Sequence, residues 1–234
     1  MSDRADHRQT LLVSFSGIDG AGKSTQIDFL RERLQSRGLR VKLLRFWDDI
    51  AVFKSGREAT AFKLFKGDKG IGAPNAPIQR RDKNVRSPLM TCVRLVIYLL
   101  DTLSLRATLR RAKRDQVDII ICDRYIYDEI TNFNLQNSLI RLYSKMLLAA
   151  VPSPDVGFVI DADPVAAHIR KPEYPIEFVK SNRESYLRLS DLTRFIQVIP
   201  PSQVEDAKAE VWKCITAHFP ECLKASGDTN IHRK

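Results

Sequence analysis

The sequence predicts an α/β protein built on an open parallel sheet. Two observations carry this: short apolar runs alternate with longer amphipathic ones, and the first run leads into a glycine-rich turn that opens a helix. LLVSFS, starting at Leu11, is the first strand. VKLLRF (41–46), DIIIC (118–122), VGFVID (156–161) and FIQVI (195–199) follow as strands two to five. Between them lie helical patterns. KSTQIDFLRERLQSRG places Ile27, Leu30 and Leu34 on one face, with Gly38 near its C-cap. Residues 88–114 carry Leu89, Val93, Val96, Leu100 and Leu103 at spacings of three and four, and 135–150 is a second apolar-periodic run.

Length and composition narrow the class. With 234 residues and 44% hydrophobic content, the chain can bury a sizeable core as one domain, 1–234. The polar start MSDRADHRQT lacks a signal-peptide core, and VRLVIYLL is too short to span a bilayer, so a cytoplasmic protein with no membrane partner is expected. Cys92, Cys122, Cys214 and Cys222 show no CxxC spacing and suggest neither zinc nor a disulfide framework. The net charge of +10 fits a polyanionic small molecule, a nucleic acid or a membrane surface, and charge alone does not choose. Residues 51–90 hold nine Lys or Arg against three Asp or Glu, and about 51–87 is expected to be a mobile basic segment.

Gly17-Ile18-Asp19-Gly20-Ala21-Gly22-Lys23-Ser24 satisfies the G-x-x-x-x-G-K-[ST] phosphate loop, followed by Thr25. The bare pattern arises by chance in about one chain in a hundred of this length, and the strand before it and helix after it make chance rarer. Glycines let backbone N–H groups converge on a triphosphate at the positive end of the helix dipole. Lys23 would reach the β and γ oxygens of ATP, and Ser24 would hold Mg2+. The third strand ends in Asp123-Arg124-Tyr125, followed by Ile126-Tyr127-Asp128. Ligands of open α/β sheets sit beyond the carboxyl ends of the strands. Asp123 there would bind magnesium or orient an acceptor, and Arg124 offers a planar fork for a second phosphate.

FSGIDGAGKSTQ, ICDRY at the third strand and DADP after the fourth, leading to a basic lid, together resemble the thymidylate kinases of the nucleoside monophosphate kinase superfamily. The resemblance implies a three-layer P-loop NTPase fold: a five-stranded parallel sheet of order 2-3-1-4-5 with helices on both faces. It also implies ATP-dependent phosphorylation of a nucleoside monophosphate, thymidylate first. Asp19 would face the acceptor sugar or its phosphate, and Arg124 would bind the acceptor phosphate. Such kinases are commonly homodimers that pack through the helices flanking the DRY segment.

The lid is expected at about 168–176. Asp163 reads as an N-cap with Pro164 at the first helical position, and the helix should stop before Pro172. This chain has Gly20 where some family members carry a loop arginine, so lid arginines become candidates for catalytic charge, Arg170 first. Arg183 is either a helix-side ion pair or a second inward cation. Arg45-Phe46-Trp47-Asp48-Asp49 stands where the family has an Arg-Glu-Pro run, making Trp47 and Asp48 candidate acceptor contacts, with a core role for Trp47 as the alternative. Thr102 replaces a base-reading arginine. Asp128 and Glu129-Ile130-Thr131-Asn132 replace a serine and an Ala-Tyr-Gln run, which makes Asp128 a further candidate acceptor contact. These carboxylates leave a second reading open, a kinase of the same fold acting on a sugar or other hydroxyl compound. A third is a non-catalytic nucleotide-binding regulatory protein. The expected partner is a nucleotide or sugar, not nucleic acid.

Overall fold

In a computed structural model of the chain, the described residues are 10–52, 88–133, 135–190, 193 and 195–220. The basic segment 51–87 falls outside them except for its first two positions. Five strands form the sheet: β1 (Leu11–Ser16), β2 (Val41–Arg45), β3 (Ile119–Asp123), β4 (Val156–Ile160) and β5 (Ile196–Ile199). Their order is β2-β3-β1-β4-β5, every pairing is parallel, and Phe15 and Arg45 both register with Asp123.

Both faces of this sheet are covered, which is why the central strands read as unbroken apolar runs. Leu11, Val13 and Phe15 of β1 join Ile119 and Ile121 of β3 in one core layer, with Ile27, Leu30 and Leu34 of α1 (Lys23–Gln35). Leu12, Ile120 and Cys122 point the other way, into the layer beneath α2 (Pro88–Arg114) and α3 (Ile126–Ile130). α4 (Ser138–Ala150), α5 (Pro164–Arg170) and α6 (Ile176–Ser190) pack on that second side, and α7 (Val204–His218) joins α1 on the first.

Local signals explain most ends. Gly38, at φ +76, turns the chain after α1, and its N–H bonds the Gln35 carbonyl at 2.9 Å. The Asn137 side chain caps α4 through the N–H groups of Leu139 and Ile140. Asp163 caps α5 by accepting from Ala166 N–H at 2.8 Å, and Pro164 is its first residue. That helix ends at Arg170, before Pro172, as expected.

Two expectations change. β2 stops at Arg45, and Phe46–Ile50 winds into a π-helical turn closed by Asp49, whose carboxylate accepts Arg45 N–H at 2.7 Å. Phe46 thereby turns into the core. α2 has the expected span, but the stripe that marks it is not the stripe it buries. Val93, Val96 and Leu103 face solvent, Val96 at 61% exposure, while Arg94, Tyr98, Asp101, Thr102, Leu105 and Leu109 face inward. The polar groups on this inner side have partners. Asp101 accepts Val52 N–H at 2.8 Å, Thr102 donates to the Tyr98 carbonyl at 2.8 Å, and Ser104 donates to the Ile50 carbonyl at 2.6 Å. Satisfied hydrogen bonds make a polar inner face tolerable.

Candidate active site

The phosphate loop runs from the end of β1 into α1, and three of its glycines have positive φ: Gly17 at +137°, Gly20 at +83° and Gly22 at +91°. A β-carbon on Gly17 would meet the Ile160 carbonyl, and one on Gly20 would meet the Ala167 carbonyl of α5. Nothing crowds Gly22. Gly22 is the N-cap residue of α1 and, having no side chain, leaves the first-turn N–H groups of the helix without a side-chain cap. Uncapped donors at a dipole's positive end, under glycines that admit close approach, fit a triphosphate. Ala21 is half-buried, and the Ser24 and Thr25 side chains are exposed beside the loop.

Lys23 is buried beneath this loop, its Nζ donating to the carbonyls of Gly17 and Ile18 at 2.8 Å each. Burial, with the charge of Arg124 second, brings its pKa down to about 7, while Asp19, Asp128 and Asp123 pull the other way. Asp123 stands half-buried at the end of β3. Burial holds its carboxyl above the usual range, against the pull of Arg124 and Lys23. Among the described residues no group of three or more His, Cys, Asp or Glu could hold a metal ion. The Ser24 hydroxyl and the Asp123 carboxylate are oxygen donors, the kind of ligand Mg2+ takes.

Arg124 follows with φ +69, its N–H bonded to the Phe15 carbonyl at 2.9 Å. Its guanidinium lies between two carboxylates: Nη2 pairs with Asp19, and Nη1 donates to Asp128 Oδ1 at 3.0 Å. The phosphate loop and the Arg124 fork thus meet at the carboxyl ends of neighbouring strands, through Asp19. Lys171, just past α5, lies 4.0 Å from Asp19 and 3.2 Å from the buried Glu173. Arg170 Nε donates to the Gly20 carbonyl at 2.9 Å, so this arginine rests on the phosphate loop. Arg183 is engaged in an ion pair, bidentate with Asp161 just past β4, at 2.6 Å for both contacts.

Other expected residues lie differently. Trp47 packs edge-on against Phe46, centroids 5.8 Å apart, and against the core, which favours its structural role. Asp48 is exposed on the π-helical turn. Asp128, expected at the acceptor, is 3% exposed and accepts four protein donors, leaving no lone pair for a ligand: Ser16 Oγ at 2.7 Å, Tyr186 Oη at 2.7 Å, Tyr125 N–H at 3.0 Å and Arg124. Thr102 is fully buried and bonded within its own helix. The carboxylates that suggested a hydroxyl acceptor are in good part engaged by the protein: Asp128 on these donors, Asp49 on Arg45 N–H, and Asp19 on Arg124.

Sequence reasoning left Arg45 out of the site. It is exposed at the end of β2 in register with Asp123, whose charge it favours. Its place beside the phosphate loop's neighbouring strand was the signal. Between α2 and α3 a buried polar group was also missed. Asn132 donates to Tyr98 Oη at 3.3 Å, and burial, with Glu129 second, raises the Tyr98 hydroxyl while Arg94 opposes.

No protein-family model matches the chain. It is 28% identical to a probable thymidylate kinase of Methanosphaera stadtmanae over 84% of this chain and 92% of that one. It is 24% identical to a probable thymidylate kinase of Archaeoglobus fulgidus over 88% and 94%, and 26% identical to a thymidylate kinase of Bifidobacterium longum over 90% and 98%. The solved thymidylate kinase of Ehrlichia chaffeensis shares the fold, with a TM-score of 0.57 at 21% identity over 88% of this chain and 98% of that one.

Proposed function

We propose that this chain, thymidylate kinase-like in sequence and fold, catalyses ATP-dependent phosphorylation of a nucleoside monophosphate, dTMP to dTDP. The observation that carries the reading is the junction of two phosphate sites, the uncapped N-terminus of α1 and the Arg124 fork, joined by the Asp19–Arg124 pair. A nucleotide acceptor already carries a largely ionised phosphate, with a second pKa near 6, so the site needs clamps more than a base.

Backbone N–H groups from Gly20 to Ser24 would cradle the β- and γ-phosphates of ATP, and Lys23 would leave the loop carbonyls for them. Ser24 and Asp123 would hold Mg2+, which when bound would supply positive charge against the phosphate oxygens. Arg124 would orient the acceptor phosphate in line, with Asp19 turned to the acceptor sugar. Arg170, against Gly20, would place its charge near the transferring oxygens, and a closed lid would exclude water.

The test is ADP release from Mg-ATP with dTMP and the other nucleoside monophosphates offered singly. The expected result is the highest kcat/KM with dTMP, and no diphosphate from any of them would overturn the reading. No helix among the described residues is long and apolar enough to cross a membrane. We place the reaction in the cytoplasm, where ATP and nucleoside monophosphates meet.

The active form is a homodimer in this reading. Val96, Leu99 and Leu103 of α2 and Leu139, Leu142 and Met146 of α4 are exposed, on two helices joined where the Tyr143 hydroxyl donates to the Leu95 carbonyl. A second copy would cover this apolar face.

A further inference from the structure

Asp128 sits where three parts of the site converge. Oδ2 accepts the Ser16 hydroxyl, from the last residue of β1 before the phosphate loop, and Tyr125 N–H, from the peptide after Arg124. Oδ1 accepts Arg124 Nη1 at 3.0 Å and the Tyr186 hydroxyl at 2.7 Å. Tyr186 lies on α6, the helix that follows the lid, and is almost fully buried. A carboxylate offers about four lone-pair sites, so these donors saturate Asp128.

Arg124 needs such support for two reasons. Its backbone is in the left-handed region at φ +69, which a side-chain-bearing residue keeps only when its surroundings enforce it. Its guanidinium, moreover, is useful to a phosphate only if the planar fork points at the acceptor, and a long side chain gives up considerable rotamer entropy to stay so. Asp19 holds Nη2. Asp19, however, belongs to the phosphate loop and is the carboxylate proposed to turn toward the acceptor sugar. Asp128 is the buried anchor, and its charge-assisted bonds are the stronger kind.

We propose that Asp128 is a positioning residue: it fixes the plane of Arg124 for the acceptor phosphate and, through Tyr186, ties that plane to the helix following the lid. This rests on the acceptor role given to Arg124. It replaces the expectation that Asp128 touches substrate, and it makes Tyr186 part of acceptor recognition without contact to the acceptor.

The test compares Tyr186→Phe and Asp128→Asn with the parent. Tyr186→Phe removes one hydroxyl and keeps the ring, so it reports even if Asp128→Asn fails to fold. Each should raise the KM for dTMP, roughly three- to tenfold for Tyr186→Phe and roughly ten- to a hundredfold for Asp128→Asn, with the KM for ATP unmoved. In an Arg124→Ala background both effects should largely vanish, because Asp128 acts through that guanidinium. Independently of turnover, 15N-labelled arginine should show hindered guanidinium rotation for Arg124 in the parent and faster rotation in both variants, Asp19 still holding Nη2. Additive losses with Arg124→Ala would mean direct substrate contact and overturn the proposal. Equal loss of both KM values with unchanged Arg124 resonances would mean a purely structural role and overturn it as well. A parent that phosphorylates no nucleotide would remove the proposed function, and the arginine resonances would then decide the positioning claim alone.

Discussion

Gly20 of the phosphate loop lies directly beneath the Ala167 carbonyl of α5, at a φ of +83° that side chains rarely adopt. Gly20→Ala therefore meets both backbone strain and a fixed oxygen, and should cost about 1–3 kcal/mol of stability and lower kcat by displacing α5. Chemical denaturation alongside turnover checks it. An arginine in place of Gly20 would press on α5, which supports the proposal that the cation comes from Arg170.

Lys23, in the proposed role, would link ATP binding to protonation. With its pKa at about 7 in the free protein, Lys23 is mostly neutral at pH 8, and triphosphate charge would favour its ammonium form. ATP binding at pH 8 should take up about one proton, measured by calorimetry in buffers of different ionisation enthalpy. No uptake would contradict the assignment of Lys23. Lys23→Ala should also reduce transfer by at least about a hundredfold.

The same group sets a stability slope. Its folded pKa lies below the unfolded 10.5, so between about pH 7 and 10.5 the unfolded chain binds the extra proton, and this contribution to stability rises with pH. Lys23→Met should therefore be more stable than the parent near and below pH 7. The advantage should disappear as pH climbs to about 10.5, as urea titrations across that range would show.

If the Arg124 fork binds the acceptor as proposed, Arg124→Ala should raise the KM for dTMP far more than that for ATP, by roughly a hundredfold against less than about threefold. Equal acceptor saturation in variant and parent would contradict the role. Arg170→Ala should instead lower kcat, by roughly a hundredfold or more, with little change in either KM.

If α2 and α4 form the dimer face, the parent should sediment as two chains, and Val96→Glu combined with Leu142→Glu should sediment as one. Both positions are exposed, so the monomer should keep its fold. A parent that sediments as one chain rejects the interface.

The phosphate loop and the strands were legible because strands buried on both faces read as unbroken apolar runs and the loop's glycines stand at fixed spacing. Asp163 and Pro164 announced α5 for the same local reason. The inner face of α2 was hidden because it is partly polar: Asp101, Thr102 and Ser104 turn inward by bonding to Val52, Tyr98 and Ile50, and hydrophobic periodicity registers none of that. Asp128 misled because its saturation depends on Tyr186, 58 residues away, and on Ser16, 112 residues away. No local pattern contains those distances.

The strand order carries a consequence for synthesis. β1 is flanked by β3 and β4, and β2 pairs only with β3, so neither of the first two strands has a hydrogen-bonding neighbour until Ile119–Asp123 has been made. Everything before β3 leaves the ribosome without a sheet to join, its apolar strands open to chaperones and proteases. A nascent chain stalled before Ile119 should be digested readily, and one stalled well beyond β3 should begin to resist. The phosphate loop, though synthesised by the start of the first helix, acquires its framed shape only when Ile160 and Ala167 arrive to hold it.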